Sequence, residues 1–210
     1  MRKVVPLFFL ILAVVLVVGA CSSSDDVTVS TEQHAIPSNY ETYTQEGLFS
    51  ISYPPDWTVD LEIMEELMEA AKSMVEASGP SMGIEDIGML FFCGEETWEG
   101  YYPSVSILID LRSEDYWTLD EVDEANSLYD KLYTPGYKEL SLKKEMVDGR
   151  VASILDCEDN DPNWGKWRYI QLTTVEGDYV WLVTCACEYG DFAEWEDTFY
   201  NIVRSLKILN

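Results

Sequence analysis

The stretch "DCEDNDPNWG" (residues 156–165) holds the residues most suited to binding chemistry. Asp159, Asp161 and Asn163 stand at alternate positions, the spacing at which a calcium loop offers oxygen ligands. The glycine comes one place late, at Gly165, and the twelfth position is Ile170 where an EF-hand needs a bidentate Glu. The segment is therefore no EF-hand. The expected reading is a solvated hairpin loop, and the alternative is an acidic loop in which Asp159, Asp161 and Asn163 hold Ca²⁺ weakly. Trp164, Trp167 and Tyr169 beside it offer a recognition surface, although aromatics on a strand more often build core. A second set is Cys93, Cys157, Cys185 and Cys187. Cys185 and Cys187 share one face of a strand, and Cys157 and Cys187 flank the strand around Arg168. That places the last two roughly twice the 4.7–4.9 Å strand spacing apart, too far for a bond. The readings left open are a soft-metal site of Cys157, Cys185 and Cys187, a disulfide from Cys93 to one C-x-C member, and buried free thiols. Hydrolytic chemistry has little to work with. The lone histidine, His34, falls in the polar stretch 22–46 that reads as a tether. That leaves a Ser-His-Asp or Cys-His arrangement no base in the domain, and no HExxH, GxSxG or P-loop occurs. With 39 Asp and Glu residues, any proximity of two acids is uninformative.

The N-terminus bears on location. Arg2 and Lys3 precede an uncharged apolar run from Val4 to Ala20, the layout of a secretory signal. Its ending "VVGAC" resembles the prokaryotic lipobox, which implies cleavage before Cys21 and acylation of that cysteine. Two or three acyl chains hold a protein firmly where one is marginal. The expected division is a signal peptide over 1–20, a lipidated Cys21 with a flexible tether over 21–46, and one domain over 47–210. The expected location is the cell membrane, on its extracytoplasmic face. A net charge of −26 argues against nucleic acid as a partner and against flat docking on anionic lipid.

The elements that must position these residues follow from periodicity. "LFSISYPPDW" alternates and then meets Pro54 and Pro55, which cannot donate to a ladder, so a strand ends at Tyr53 and Trp57 enters the core. Leu61, Met64, Leu67 and Ala71 mark a helix that Gly79-Pro80 stops. Strands are expected over 87–93 and 104–111. A helix opens at "TLDE" with Thr118 and Glu121 as a capping box, its apolar stripe being Val122, Ala125, Tyr129 and Leu132. Asp148-Gly149 and Glu176-Gly177 turn two hairpins. "YVWLVTCAC" is apolar on both faces, as a central strand must be when both faces are covered. A closing helix, capped by Asp191 with Glu194 completing a box, buries Phe192, Trp195, Phe199, Ile202, Val203 and Leu206. The fold class is α+β, an antiparallel sheet sandwiched between helix layers.

"FSISYPPDW", "VSILI", "VDGRVA", "YVWLVT" and "FYNIVRSLKI", in that order, resemble the PsbP-like domain over residues 46–209. That family takes in the extrinsic photosystem II subunit, a nuclear Ran-binding import factor and many prokaryotic lipoproteins. The resemblance implies an α/β/α sandwich with a binding or scaffolding role and no shared catalytic residues. The stretches 61–78 and 84–102 are longer than the family core. Together these readings give a non-enzymatic envelope module with a protein partner. The alternatives are a cation- or metal-binding surface lipoprotein and a hydrolase acting through acids.

Overall fold

The computed structural model describes residues 29–30, 34–66, 87–96, 101–111, 118–162 and 165–209. Among them the chain is mostly antiparallel sheet with a few helices. The strands are β1 (Glu41–Gln45), β2 (Phe49–Tyr53), β3 (Thr58–Val59), β4 (Ile87–Glu96), β5 (Tyr101–Leu111), β6 (Lys138–Val147), β7 (Arg150–Asp161), β8 (Gly165–Glu176), β9 (Tyr179–Glu188) and β10 (Lys207–Ile208). The helices are α1, helical over 61–66, then α2 (Leu119–Tyr133) and α3 (Phe192–Arg204). The rest of the helix expected to Gly79 lies outside the described residues.

Seven strands form one sheet in the order β3-β4-β5-β9-β8-β7-β6, and β1-β2-β10 form a smaller one. The doubly apolar β9 is the middle strand, as its composition requires. Asp148 (φ 50°) and Gly149 (φ 78°) make the two-residue turn from β6 to β7, whose left-handed backbone matches the twist of the paired strands. Tyr53 ends β2, and the Trp57 N–H closes a turn onto the Pro54 carbonyl at 3.1 Å. Trp57 is buried, its ring 5.9 Å from that of Trp195.

The large sheet has two dissimilar faces. On one, Phe91, Ile107, Ile154, Leu172, Trp181 and Val183 pack with Phe49 and Ile51 of the small sheet and Phe199, Ile202 and Val203 of α3. The expected stripe of α3 is buried there, with Trp195 only partly covered. Its cap differs from expectation. Asp191 is itself helical in conformation and makes no side-chain cap bond, and the Glu194 N–H instead donates to the Asp191 carbonyl at 2.9 Å. The opposite face carries α2. There the Ser153 hydroxyl of β7 donates to the Asp123 carboxylate of the helix.

Two further expectations are corrected. The segment expected as a tether contributes to the folded part. β1 pairs along its length with β2, Tyr43 lies 5.0 Å from the Phe91 ring, and Ser30 bridges to Glu145 of β6. Backbone pairing needs no apolar period, and one aromatic anchors the strand. The segment expected as an acidic loop is strand as far as Asp161, because β8 pairs with it in unbroken register from Ala152↔Thr174 to Asp161↔Gly165. Only residues 162–164 separate the strands.

Candidate functional site

The site lies on the α2 face, where the end of that helix meets the far ends of β7 and β8. Thr118 starts the helix through the expected capping box. Its hydroxyl accepts from the Glu121 N–H at 3.3 Å, and the Glu121 carboxylate accepts from the Thr118 N–H at 2.8 Å. From that start, the buried residues are Val122, Asn126, Tyr129 and Asp130. Leu132, expected inside, is 65% exposed, and Leu128 is 51% exposed. The helix has thus turned its polar residues toward the sheet. The connection to β6 is fixed at Gly136, whose φ of +69° and closeness to Asn160 leave no room for a side chain. The Asn160 N–H donates to the Pro135 carbonyl at 2.9 Å.

This geometry brings two carboxyls together, Asp130 and Asp159, and a third buried one, Asp123, stands about two helical turns away beside Ser153. Asp123 and Asp130 come from α2 and Asp159 from β7. Burial is the first cause in each case. It pushes Asp130 up to about 7, opposed by a hydrogen bond from Thr134 and reinforced by the charge of Asp159. It pushes Asp159 up to about 6, opposed by Tyr169 and reinforced by Asp161. It pushes Asp123 up to about 6, against the Ser153 hydroxyl and Lys144. Tyr169 donates to Asp159 Oδ2 at 2.6 Å, and both side chains are buried. Burial raises the Tyr169 and Tyr137 phenols and the Cys157 thiol as well, with Asp130 adding to all three.

The calcium candidates are placed as follows. Asp159 and Asp161 share one strand face and are 4% and 7% exposed, and Asp159 is engaged by Tyr169. Their alternation is the period of a strand, with no loop curving around an ion. Asn163 and Trp164 lie outside the described residues. Among the described residues no three His, Cys, Asp or Glu side chains converge as a metal set. Trp167 and Tyr169 are core, packed with Leu155, Cys157 and Ala186.

The four thiols do not come together either. Cys93, Cys185 and Cys187 belong to the α3-face core, whereas Cys157 packs on the other side of the sheet. The register leads from Cys93 to Val105 and from Val105 to Cys185, so these two stand two strands apart, roughly 9–10 Å. That exceeds the span of a disulfide. All four are free and buried. Burial pushes Cys93 and Cys187 up to about 12 and raises Cys185 and Cys157 too. Such thiols carry almost no thiolate and are poor nucleophiles and ligands.

Carboxyls titrating near neutrality suit proton uptake, and such shifts also mark acid–base sites. Here their neighbours are the donors Thr134, Ser153 and Tyr169, which hold the carboxyls in place. Sequence periodicity missed Asp123 and Asp130. The capping box held the signal, since counting from Val122 in steps of four puts Asn126 and Asp130 on its stripe.

The fold places the chain in a known structural class. It is similar to the solution structure of cyanobacterial PsbP (CyanoP) from Synechocystis sp. PCC 6803, with a TM-score of 0.52 at 12% identity over 90% of this chain and 99% of that one. It is also similar to LpqN, involved in cell envelope biogenesis of Mycobacterium tuberculosis, with a TM-score of 0.50 at 10% identity over 81% of this chain and 92% of that one. The fold is that of a PsbP-like domain. The sequence matches no protein-family model and no curated protein.

Proposed function

We propose that the chain is a lipid-anchored module on the extracytoplasmic face of the cell membrane, which binds and steadies an envelope protein and catalyses no reaction. The carrying observation is "VVGAC" at the end of an apolar run that follows Arg2 and Lys3. It makes Cys21 the first mature residue and the acylated one. The PsbP-like fold supports a binding role. A structural relative, LpqN, takes part in cell envelope biogenesis, in keeping with a place in the envelope. The thiols are buried, and one oxygen each of Asp123 and Asp159 accepts from a hydroxyl, which favours contact over turnover. In this reading α2 covers one sheet face and α3 with the small sheet the other, the α/β/α layering expected of the fold.

The test is metabolic labelling of cells with an alkynyl palmitate, followed by membrane fractionation. The wild-type chain should take up label and sediment with membranes. Cys21→Ala should lose the label and keep its leader. Label retained in Cys21→Ala, or absent from the wild type, would overturn the anchor. Cross-linking in intact cells should then capture an envelope protein.

A further inference from the structure

Strand β6 is the outer strand of the seven-stranded sheet, and a bare ten-residue edge is a template for pairing. At its centre this edge is occupied. The Ser30 N–H donates to the Lys144 carbonyl at 3.0 Å, and the Met146 N–H donates to the Ser30 carbonyl at 2.9 Å. These two bonds form a parallel bridge between Ser30 and Glu145. Four residues on, His34 Nε2 lies 3.9 Å from Glu145 Oε2. Glu145 is itself held by two bonds from Arg204 of α3, at 2.9 and 2.8 Å.

We infer that the outer edge of β6 is a strand-addition surface for an extended acidic segment, and that the segment around Ser30 of this same chain is its occupant. The composition of both partners fits. Residues 25–33 read "DDVTVSTEQ", with β-branched Val27, Thr28, Val29 and Thr31, which favour extended backbone. The segment has Asp25, Asp26 and Glu32 and no basic residue. Strand β6 carries Lys138, Lys143 and Lys144 against Glu139 and Glu145, a net positive strand in a chain whose net charge is −26. Within the domain Lys138 faces Glu158 and Lys144 faces Asp120. Lysines on an edge repel hydrophobic strands and attract acidic ones. Main-chain bonds give such an addition its affinity, and charge gives it selectivity. Ser30 follows Cys21 by nine residues. A docked strap therefore keeps the β6 edge within about 30 Å of the lipid, at about 3.3 Å per residue. That distance rests on the anchoring proposed above, whereas the strap does not.

Hydrogen exchange and NOE spectroscopy on the full chain in detergent test the strap. The wild type should show an NOE from the Ser30 amide to the β6 backbone and a protected Met146 amide. Ser30→Pro removes one donor and should speed Met146 exchange roughly tenfold, the worth of one or two backbone hydrogen bonds. The central amides of β9 should stay protected. Added peptide DDVTVSTEQ should restore Met146 protection in Ser30→Pro, and the version with lysine at its three acidic positions should not. An unprotected Met146 in the wild type, a missing NOE, or equal rescue by both peptides would overturn the inference. If Ser30→Pro also loses β9 protection, the wild-type NOE alone decides. A chain unmodified at Cys21 would leave all these readings unchanged and remove only the distance to the membrane.

Discussion

On the α3 side of the sheet, Phe91, Ile107, Leu172 and Trp181 are closed over by Phe49, Phe199 and Ile202. On the α2 side, Ser106, Ser153, Gln171, Thr173 and Thr184 are just as buried, and the helix there contributes Asn126 and Asp130. The same strands supply both faces, so backbone geometry cannot explain the contrast. What differs is the kind of energy each face relies on. The α3 face gains from removing apolar surface from water and from ring contacts such as Phe49–Trp181 at 6.1 Å. Its charged groups lie at the margin in closed pairs. Arg168 grips Asp156 through two bonds of 2.6 and 2.7 Å and lies 4.2 Å over the Phe192 ring. The α2 face mixes buried apolar residues, Phe92, Leu108, Leu155 and Leu182, with polar pairs, Gln171 with Thr184 at 3.1 Å and Tyr169 donating to one oxygen of Asp159. Each such pair contributes little in net terms but costs much if left unmade. The first face is suited to hold the fold, and the second to respond to conditions.

The largest expected effect belongs to the α3 face. Phe199 is fully buried between α3 and the sheet, within 6.2 Å of Phe192. Phe199→Ala should cost about 3–5 kcal/mol in urea unfolding, from lost transfer energy plus the cavity. The loss should be the same at pH 5 and pH 8, since the thiols of that core, Cys93, Cys185 and Cys187, are raised by burial far above this range. A loss below about 1 kcal/mol would mean that the apolar face is not what holds the domain.

The middle effect belongs to the α2 face and is read through pH. Asp130, Asp123 and Asp159 keep their protons in the folded chain to about 7, 6 and 6, whereas the unfolded chain releases them near 4. Between those limits the folded state binds more protons, so stability falls as pH rises. This contribution is complete below about pH 4 and is lost as pH passes 6 to 7. Asp130→Asn keeps an oxygen that Thr134 can donate to and removes the charge. It should stabilise the chain by roughly 1–2 kcal/mol at pH 8, by about a third of that at pH 5 and by almost nothing below pH 4. Thermal unfolding at pH 8 and pH 5 checks it. Equal effects at both would show that Asp130 is solvated and ordinary.

The asymmetry also explains what could be read from sequence. The stripe of α3, the central place of β9, the Asp148-Gly149 hairpin and the end of β2 at Tyr53 all follow from apolar periodicity and turn chemistry, and all are present. The α2 face follows neither. Asn126 and Asp130 look solvent-facing by residue type, and only the hydroxyl-rich strands opposite make them buried. The acids at 156–161 read as a loop because Asp, Asn and Pro favour turns, yet β8 supplies a continuous partner and Tyr169 a donor. The split of the thiols was within reach, since Cys157 is an odd position on a strand whose even positions, Ala152 and Ile154, enter the α3 core. β1 was hidden by its composition, with Tyr43 its one apolar residue.

The smallest effect bears most directly on whether α2 is oriented as described. Leu132 is 65% exposed and Leu128 51% exposed, on the side of the helix away from Asp130. Hydrophobic periodicity alone would turn the helix to bury Leu132, and the Thr118 capping box with the Asp123–Ser153 bond holds it otherwise. If that orientation is right, Leu132→Ser removes little buried area and should change stability by no more than about 0.5 kcal/mol. A cost near 2 kcal/mol would place the leucine in a core. It would also move Asp130 outward and remove the basis for its pH dependence, so this variant and Asp130→Asn stand or fall together. Measured side by side in urea at pH 8, a near-neutral Leu132→Ser and a stabilising Asp130→Asn can arise together only from a helix that faces the sheet with its acids.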